Sequence, residues 1–223
     1  NKSIKSIYIA SKVRGKYRLR SYRRIYYDKL FNEPPELVKN KEGGISYSFN
    51  LKKIYFDSTY SNQRKRICSR ILNLSLSEAN IDILYGGVGI WGFYLLGSDK
   101  VKKITIIDYN SYCKEAFDQS LLLQPKKNRG KIIFKCISVK QYLKTNSLAD
   151  IALSIAPLSP TPIKLLARKY RIIFFYKLVS STYLQAYLKR LRALFSTLQY
   201  YKAKEYCLSS SIYLFYCQNS QEY

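Results

Sequence analysis

The sequence predicts an α/β fold: a doubly wound sheet of parallel strands that ends in an antiparallel hairpin and follows a small β-rich N-terminal segment. Three observations predict it. From Asn80 onward short apolar runs alternate with helix-like stretches, the pattern of a parallel sheet with crossover helices. Ile81–Tyr85, Lys103–Ile107, Lys131–Ile137, Asp150–Ala156 and Arg171–Phe175 read as strands. The chain closes with Tyr201–Cys207 and Ile212–Cys217 around Ser209-Ser210-Ser211, which reads as a hairpin.

Between those strands, Ile90–Leu96, Ser111–Leu123 (closed by Pro125), Val139–Leu143, Thr161–Lys169 and Ser181–Leu198 read as helices. Ahead of them the pattern is antiparallel. Ile4–Ala10, Lys16–Leu19, Arg24–Tyr27, Ile45–Leu51 and Lys53–Phe56 read as short strands, with Pro34-Pro35 as a loop, and Asn62–Leu72 as a basic amphipathic helix. The expected division is a basic β-rich segment over 1–77 and a catalytic domain over 78–223.

Composition narrows the function classes. With 39 Lys and Arg against 14 Asp and Glu, the net charge of +25 favours a polyanionic partner, and nucleic acid above others. A hydrophobic fraction of 47% supports a packed core. The chain has no His, which excludes Ser-His and Cys-His nucleophile pairs and His-based metal sites. Its five cysteines show no C-x-x-C spacing and read as reduced thiols; Cys207 and Cys217 would meet only if the hairpin paired them. No apolar run reaches the roughly 18–20 residues of a membrane span. Residues 1–27 hold nine basic residues and no acid, as a presequence does, but their strand-like alternation favours structure. No membrane, no metal and a monomer are the expectations.

Two motifs carry chemistry. Gly87-x-Gly89-x-x-Gly92 follows a strand and opens a helix, with Asp108 at the end of the next strand. Glycines there let the backbone turn sharply and approach a ligand, while a strand-end carboxylate accepts hydrogen bonds from a ribose diol. This pairing serves nicotinamide dinucleotides and S-adenosylmethionine alike. The second motif is a pair of basic blocks, residues 12–24 and 64–70, the first interleaved with Tyr17 and Tyr22. Cations beside stacking faces suit RNA, which points to Arg14, Lys16, Arg18, Arg20, Arg23, Arg24, Arg64, Lys65 and Arg66 as phosphate contacts. Residues 126–131 form a third basic patch on a loop.

From about Lys12 to Cys217 the sequence resembles the tRNA guanine-37 N1-methyltransferases and the related wybutosine-pathway aminocarboxypropyl transferases. Val13-Arg14-Gly15-Lys16-Tyr17-Arg18 is similar to their "GEFR" strand, and Lys41-Glu42-Gly43-Gly44-Ile45-Ser46-Tyr47 to "KENGIRY". Ile54-Tyr55-Phe56 with Gln63-Arg64-Lys65-Arg66 is similar to "VYFS…ERxR". Tyr85-Gly86-Gly87-Val88-Gly89 is similar to "FAGIG", Ile107-Asp108-Tyr109-Asn110-Ser111-Tyr112 to "IDLNPY", and Asn146-Ser147-Leu148-Ala149-Asp150 to "xNIADR". The resemblance implies a Rossmann-like class I methyltransferase sheet, S-adenosylmethionine as cofactor and tRNA as partner. It implies that Gly86, Gly87 and Gly89 line the methionine and ribose, that Asp108 holds the ribose hydroxyls, and that Tyr85 and Tyr109 flank the pocket. Ser138 occupies the position expected to approach the adenine amine.

Four positions depart from the family. Ile83 stands where an acid opens the first-strand motif, with Asp82 one residue out of register; Ser138 stands for an acid. Ile155-Ala156-Pro157 replaces "NLP", and Thr59 replaces the Arg after "FSP". Asp82, Ser154 and Pro157 are the candidate catalytic positions, without an assigned general base. The function the resemblance implies is N1-methylation of guanine 37 in the anticodon loop, in the cytoplasm, with the nucleus or an organelle matrix as other sites. Its alternatives are aminocarboxypropyl transfer on the same base, a non-catalytic RNA-binding relative, and a nicotinamide-dependent oxidoreductase.

Overall fold

In the computed structural model the described residues are 6–10, 22–27, 37–54, 56, 60–145, 149–156, 162–207 and 209–219. Strands β1 (Ser6–Ala10) and β2 (Tyr22–Tyr27) pair antiparallel, and β3 (Leu37–Glu42) pairs with β4 (Ile45–Asn50) in a second antiparallel hairpin. Helix α1 (Ser61–Leu72) comes next. The rest is β5 (Ala79–Leu84), α2 (Ile90–Leu95), β6 (Val101–Asp108), α3 (Ser111–Leu121), β7 (Ile132–Cys136), α4 (Val139–Tyr142), β8 (Ile151–Ser154), α5 (Ile163–Lys169), β9 (Ile172–Ser180), α6 (Leu184–Arg192), β10 (Thr197–Cys207) and β11 (Ser210–Gln218).

The seven later strands form one sheet in the order β10-β11-β9-β8-β5-β6-β7. β5, β6, β7, β8 and β9 are parallel, and β11 runs antiparallel between β9 and β10. This is the predicted class I methyltransferase sheet with its terminal hairpin. The chain builds outward from β5 through β6 to β7, then returns to start β8 on the other side of β5. The carboxyl ends of β5 and its neighbours therefore frame the crevice where open α/β sheets bind ligands.

Residue parity along each strand splits the core. Ile81, Ile83, Ile104, Ile106, Leu153, Phe174 and Leu214 pack beneath α1, α2 and α3. Leu84, Ile107, Ala152, Ile173, Phe175 and Phe215 pack beneath α4, α5 and α6. Strands buried on both faces read as unbroken apolar runs, which made β5, β6 and β9 legible.

A third cluster joins the β3–β4 hairpin to the sheet domain: Tyr47, Phe49 and Ile54 pack on Val88, Ile90, Cys113 and Ala116. The Ser48 amide donates to Ser120 Oγ at 2.9 Å, and Gln124 Nε2 donates to the Ser46 carbonyl at 2.7 Å. Ile67, Cys68 and Ile71 of α1 belong to the core of the sheet. The division expected at residue 77 is thus no break in packing, because the β3–β4 hairpin and α1 share their core with the sheet domain.

Other expectations need correction. Residues 37–42, which lack apolar alternation, form β3 by pairing with β4. Residues 51–54 turn rather than extend, with Lys53 and Ile54 amides both donating to the Asn50 carbonyl. The helix expected to reach Leu198 stops at Arg192, because the backbone from Thr197 is claimed by pairing with β11. Cys207 pairs with Ser210 and Cys217 with Leu198, so the two lie at opposite ends of the hairpin and cannot bridge; Cys217 is a buried free thiol. The expected strand at Lys16–Leu19 lies outside the described residues. No helix among them is long and apolar enough to cross a membrane.

Candidate S-adenosylmethionine site

β5 ends at Leu84, and the next five residues make the turn into α2. Tyr85 sits at φ +60°, Gly87 at +55° and Gly89 at +84°. A tyrosine held in the left-handed region stores strain of order 1–3 kcal/mol, of the kind that persists where surrounding packing fixes a functional turn. Here the Gly86 amide donates to the Ile107 carbonyl at 3.0 Å, and the Gly89 amide to the Gly86 carbonyl at 3.0 Å. Val88 is buried under the β3–β4 hairpin. The turn is clamped from both sides.

The glycines have different jobs. A Cβ on Gly86 would come within 2.5 Å of Ile106, one on Gly89 within 2.6 Å of Phe117, and one on Gly92 within 2.7 Å of Ile132. These three make room for the protein's own core. A Cβ on Gly87 would meet nothing within 4 Å. Gly87 alone opens to space, and its positive φ keeps the position suited to glycine.

Asp108, the last residue of β6, faces this opening. Its Oδ2 accepts from the Gly87 amide at 2.9 Å and its Oδ1 from the Asn110 amide at 3.0 Å. Asn110 in turn caps α3 by accepting from the Tyr112 amide at 3.1 Å. Sequence reasoning did not single out Asn110; the signal was the Asp-x-Asn-Ser spacing ahead of a helix. Burial raises the Asp108 pKa, while the amides of Asn110 and Gly87 pull it down. The ionised carboxylate keeps lone pairs on both oxygens for a diol. Burial, and then the Asp108 charge, raise the pKa of the half-buried Tyr85. Tyr109 is half-buried, and its carbonyl accepts from Cys136 Sγ. Ser138 is exposed after β7 and caps α4, its Oγ accepting from the Gln141 amide at 3.1 Å. Gly87, Tyr85, Asp108 and Tyr109 therefore converge at the ends of β5 and β6, with Ser138 at the end of the adjoining β7.

Asp82 does not join them. It lies two residues inside β5 on the α4–α6 face, 2% exposed, and its Oδ2 accepts from the Tyr142 and Tyr170 hydroxyls at 2.9 and 2.8 Å. Its role is to satisfy buried polar groups, which corrects its candidacy as a catalytic acid. Asp82→Ala is expected to remove an acceptor shared by two buried hydroxyls and lower stability by about 2–5 kcal/mol, at roughly 1–3 kcal/mol per lost buried hydrogen bond to a charged group. Chemical denaturation checks this, and the mutant should still bind cofactor at conditions where it is folded. Ser154 ends β8 fully buried, with no partner for its Oγ among the described residues. Pro157 lies outside the described residues.

The basic blocks divide. Arg14, Lys16, Arg18 and Arg20 lie outside the described residues. Arg23 and Arg24 lie on β2, paired with Ile9 and Tyr8. In α1, Lys65 and Arg66 are exposed. Arg64 is a correction: it is 5% exposed, and its Nε and Nη2 donate to Glu42 Oε1 and Oε2 at 2.6 Å each. A guanidinium already held by a buried carboxylate is not a phosphate contact. The partner could not be read from sequence, since Glu42 lies 22 residues earlier on another element. In the 126–131 patch, Arg129 spends its donors on the Gln124 and Leu122 carbonyls at the end of α3. Among the described residues no group of three or more acids and cysteines is disposed to hold a metal.

The sheet order and its terminal hairpin define an α/β domain with the class I methyltransferase topology. No protein-family model matches the chain, and no curated protein matches it by sequence. Solved structures do. The complex of aTrm5 and tRNALeu superposes with a TM-score of 0.72 at 19% identity, over 97% of this chain and 61% of that one. The tRNA m1G37 methyltransferase of M. jannaschii gives 0.72 at 17% identity, over 97% and 64%. M. jannaschii TYW2 in complex with AdoMet gives 0.69 at 14% identity, over 88% and 89%. These likenesses establish the fold. The chain spans about three fifths of the length of the two methyltransferases it matches. They are the same two enzyme groups that the sequence motifs resemble.

Proposed function

We propose that the chain is an S-adenosylmethionine-dependent tRNA-modifying transferase domain that methylates N1 of guanine 37 in the anticodon loop. One observation carries the reading: Gly87 opens to space directly beside the strand-end carboxylate of Asp108, on a fold shared with a protein bound to AdoMet and another bound to tRNALeu. In this reading Asp108 accepts the ribose hydroxyls, the backbone of Gly86, Gly87 and Gly89 lies along the methionine and ribose, Tyr85 and Tyr109 flank them, and Ser138 meets the adenine edge. The donor set suits a nucleoside with a diol and a cationic centre, since the described residues that converge there offer one anion, Asp108, and no cation. When bound, S-adenosylmethionine supplies an electrophilic carbon on a sulfonium. The chain's own task is to hold the guanine so that N1 approaches as its proton leaves, which calls for a base and a donor to O6. Basic side chains of β2 and α1, with Arg14, Lys16, Arg18 and Arg20, would hold the RNA as a monomer acts on it in the cytoplasm.

Asp82, sealed between Tyr142 and Tyr170, favours a second reading: a relative that binds cofactor and RNA without transfer. The test incubates the protein with tRNA transcripts carrying G or A at position 37 and with cofactor labelled in either the methyl or the aminocarboxypropyl group. Methyl label on the G transcript alone is the expected result. Label arriving with the aminocarboxypropyl group would assign the other transfer, and none on either transcript would favour the second reading.

A further inference from the structure

We propose that the face built by α1 and the edge strand β10 is a phosphate-binding track for RNA, running from the level of the strands' carboxyl ends down the edge of the sheet, with Arg66, Arg70 and Lys204 as its cations. The identity of the polyanion as RNA rests on the tRNA-modifying reading; the track itself rests on the course of α1 beside β10 and on the rings that carry its cations.

The direction comes from both elements. Tyr60, which precedes α1, has its ring centroid 5.9 Å from that of Tyr176, and Tyr176 is 6.1 Å from Trp91, the second residue of the helix that opens at the glycine turn. At the other end of α1, the Leu72 carbonyl accepts from Lys100 Nζ at 2.9 Å, just before β6 begins. α1 therefore descends from the carboxyl ends of the strands to their amino ends. β10 and β9 are both antiparallel to β11, so β10 ascends, with Lys204 nearer the carboxyl-end side of the sheet than Gln199.

Gln63, Arg66 and Arg70 stand at i, i+3 and i+7 on one face of α1 and meet β10 in order. Gln63 Nε2 donates to the Ala203 carbonyl at 2.8 Å. The Arg66 guanidinium lies 4.1 Å from the Tyr201 ring centroid. Arg70 lies 5.1 Å from the Tyr216 ring and donates to Gln199 Oε1. Strict alternation would point Lys204 to the opposite face of the sheet from Tyr201. A bulge between Lys202 and Lys204 shifts the register, so Lys204 pairs with Ile212, whose side chain belongs to the α1 face. Its ammonium lies 5.6 Å from the Tyr60 ring.

Three cations thus rest on tyrosine rings along one line. A ring under a guanidinium occupies its face and leaves edge N–H groups for phosphate oxygens, and holding the side chain in place lowers the ordering cost of binding. The charge is one-signed: α1 contains no acid, and Glu205, the one acid of β10, is paired with Lys202 at 2.5 Å. A zipper serving only to fasten α1 to β10 would not need a bulge to bring an exposed lysine round to the same face.

The test measures binding of an anticodon stem-loop transcript with G at position 37 across a potassium chloride series, and S-adenosylmethionine binding to the same proteins by calorimetry. The variants are Lys204→Gln, the triple Arg66→Gln/Arg70→Gln/Lys204→Gln, and Lys189→Gln/Arg190→Gln as a pair of exposed charges on α6, on the opposite face of the sheet. The log–log salt slope is expected to fall by about 0.7–0.9 for Lys204→Gln and about 2–3 for the triple variant, at roughly one phosphate per cation. The Lys189/Arg190 pair should leave it unchanged. Lys204→Gln lies on an exposed strand edge and decides the matter if the triple variant does not fold. An unchanged slope in Lys204→Gln, or an equal drop in the Lys189/Arg190 pair, overturns the track. Wild-type protein that gives the expected slopes but binds no S-adenosylmethionine would sustain the track and sink the transferase reading instead.

Discussion

Asp108→Ala is expected to lower S-adenosylmethionine affinity by two orders of magnitude or more. A hydrogen bond to a charged acceptor contributes about 1.5–3 kcal/mol, and a ribose diol makes two, so about 3–6 kcal/mol is at stake. The substitution also removes the acceptor for the Gly87 and Asn110 amides, which loosens the turn itself. The chain's single tryptophan, Trp91, is buried on α2 just past the turn, so its fluorescence reports binding locally. The pH dependence has a definite sign. The ionised carboxylate is the form that accepts from the diol, and burial raises the Asp108 pKa above its ordinary value. Wild-type affinity should therefore fall, as pH is lowered, before an ordinary carboxylate would titrate, and that acid-side loss should be missing in Asp108→Asn. A folded Asp108→Ala that quenches Trp91 with wild-type affinity would put the pocket elsewhere.

Arg64→Ala should be the most destabilising of the substitutions considered, at about 3–5 kcal/mol, because it leaves a buried carboxylate without its counter-ion. At about 2–4 °C per kcal/mol for a chain of this size, the melting temperature should drop on the order of 10 °C. Glu42 sits at the end of β3, and its oxygens also accept from the Tyr94 hydroxyl at 3.1 Å and the Tyr47 hydroxyl at 3.4 Å. Burial and the Glu42 charge push the Tyr94 pKa up to about 12, so that hydroxyl remains a donor. The pair fastens the β3–β4 hairpin to α1 and α2, and the hairpin covers Val88 in the glycine turn. Replacing both partners, Glu42→Leu with Arg64→Met, should recover most of the loss, since a buried pair exchanged for apolar groups is often neutral. Differential scanning calorimetry of the single and double variants separates this from an RNA role, which would leave the melting temperature in place.

The parts of the fold that were legible in sequence are those where one local rule dominates. Apolar runs doubly buried in a parallel sheet announced β5, β6 and β9, and a strand followed by glycines, a helix and a strand-end acid pointed to the candidate site. What stayed hidden depends on partners distant in sequence. β3 is a strand because β4 pairs with it, not because Leu37–Glu42 alternates. α6 stops at Arg192 without Gly or Pro because Ser196 donates to the Gln218 carbonyl and Thr197 enters the sheet. Arg64 and Arg66, two residues apart in one basic run, face a buried glutamate and a half-buried tyrosine respectively. Lys204 reaches the α1 face only through a bulge, which sequence does not mark. Gly86, Gly87 and Gly89 were read as lining the ligand together, yet Gly86 and Gly89 are required by the chain's own packing.

The most direct test of the account is a calorimetric titration of S-adenosylmethionine into the full chain, with its folding followed in parallel. Saturable binding at one site, abolished by Asp108→Ala and indifferent to Asp82→Ala under folding conditions, is the predicted result. A folded protein that takes up no S-adenosylmethionine, or binds it equally well without the Asp108 carboxylate, would contradict it.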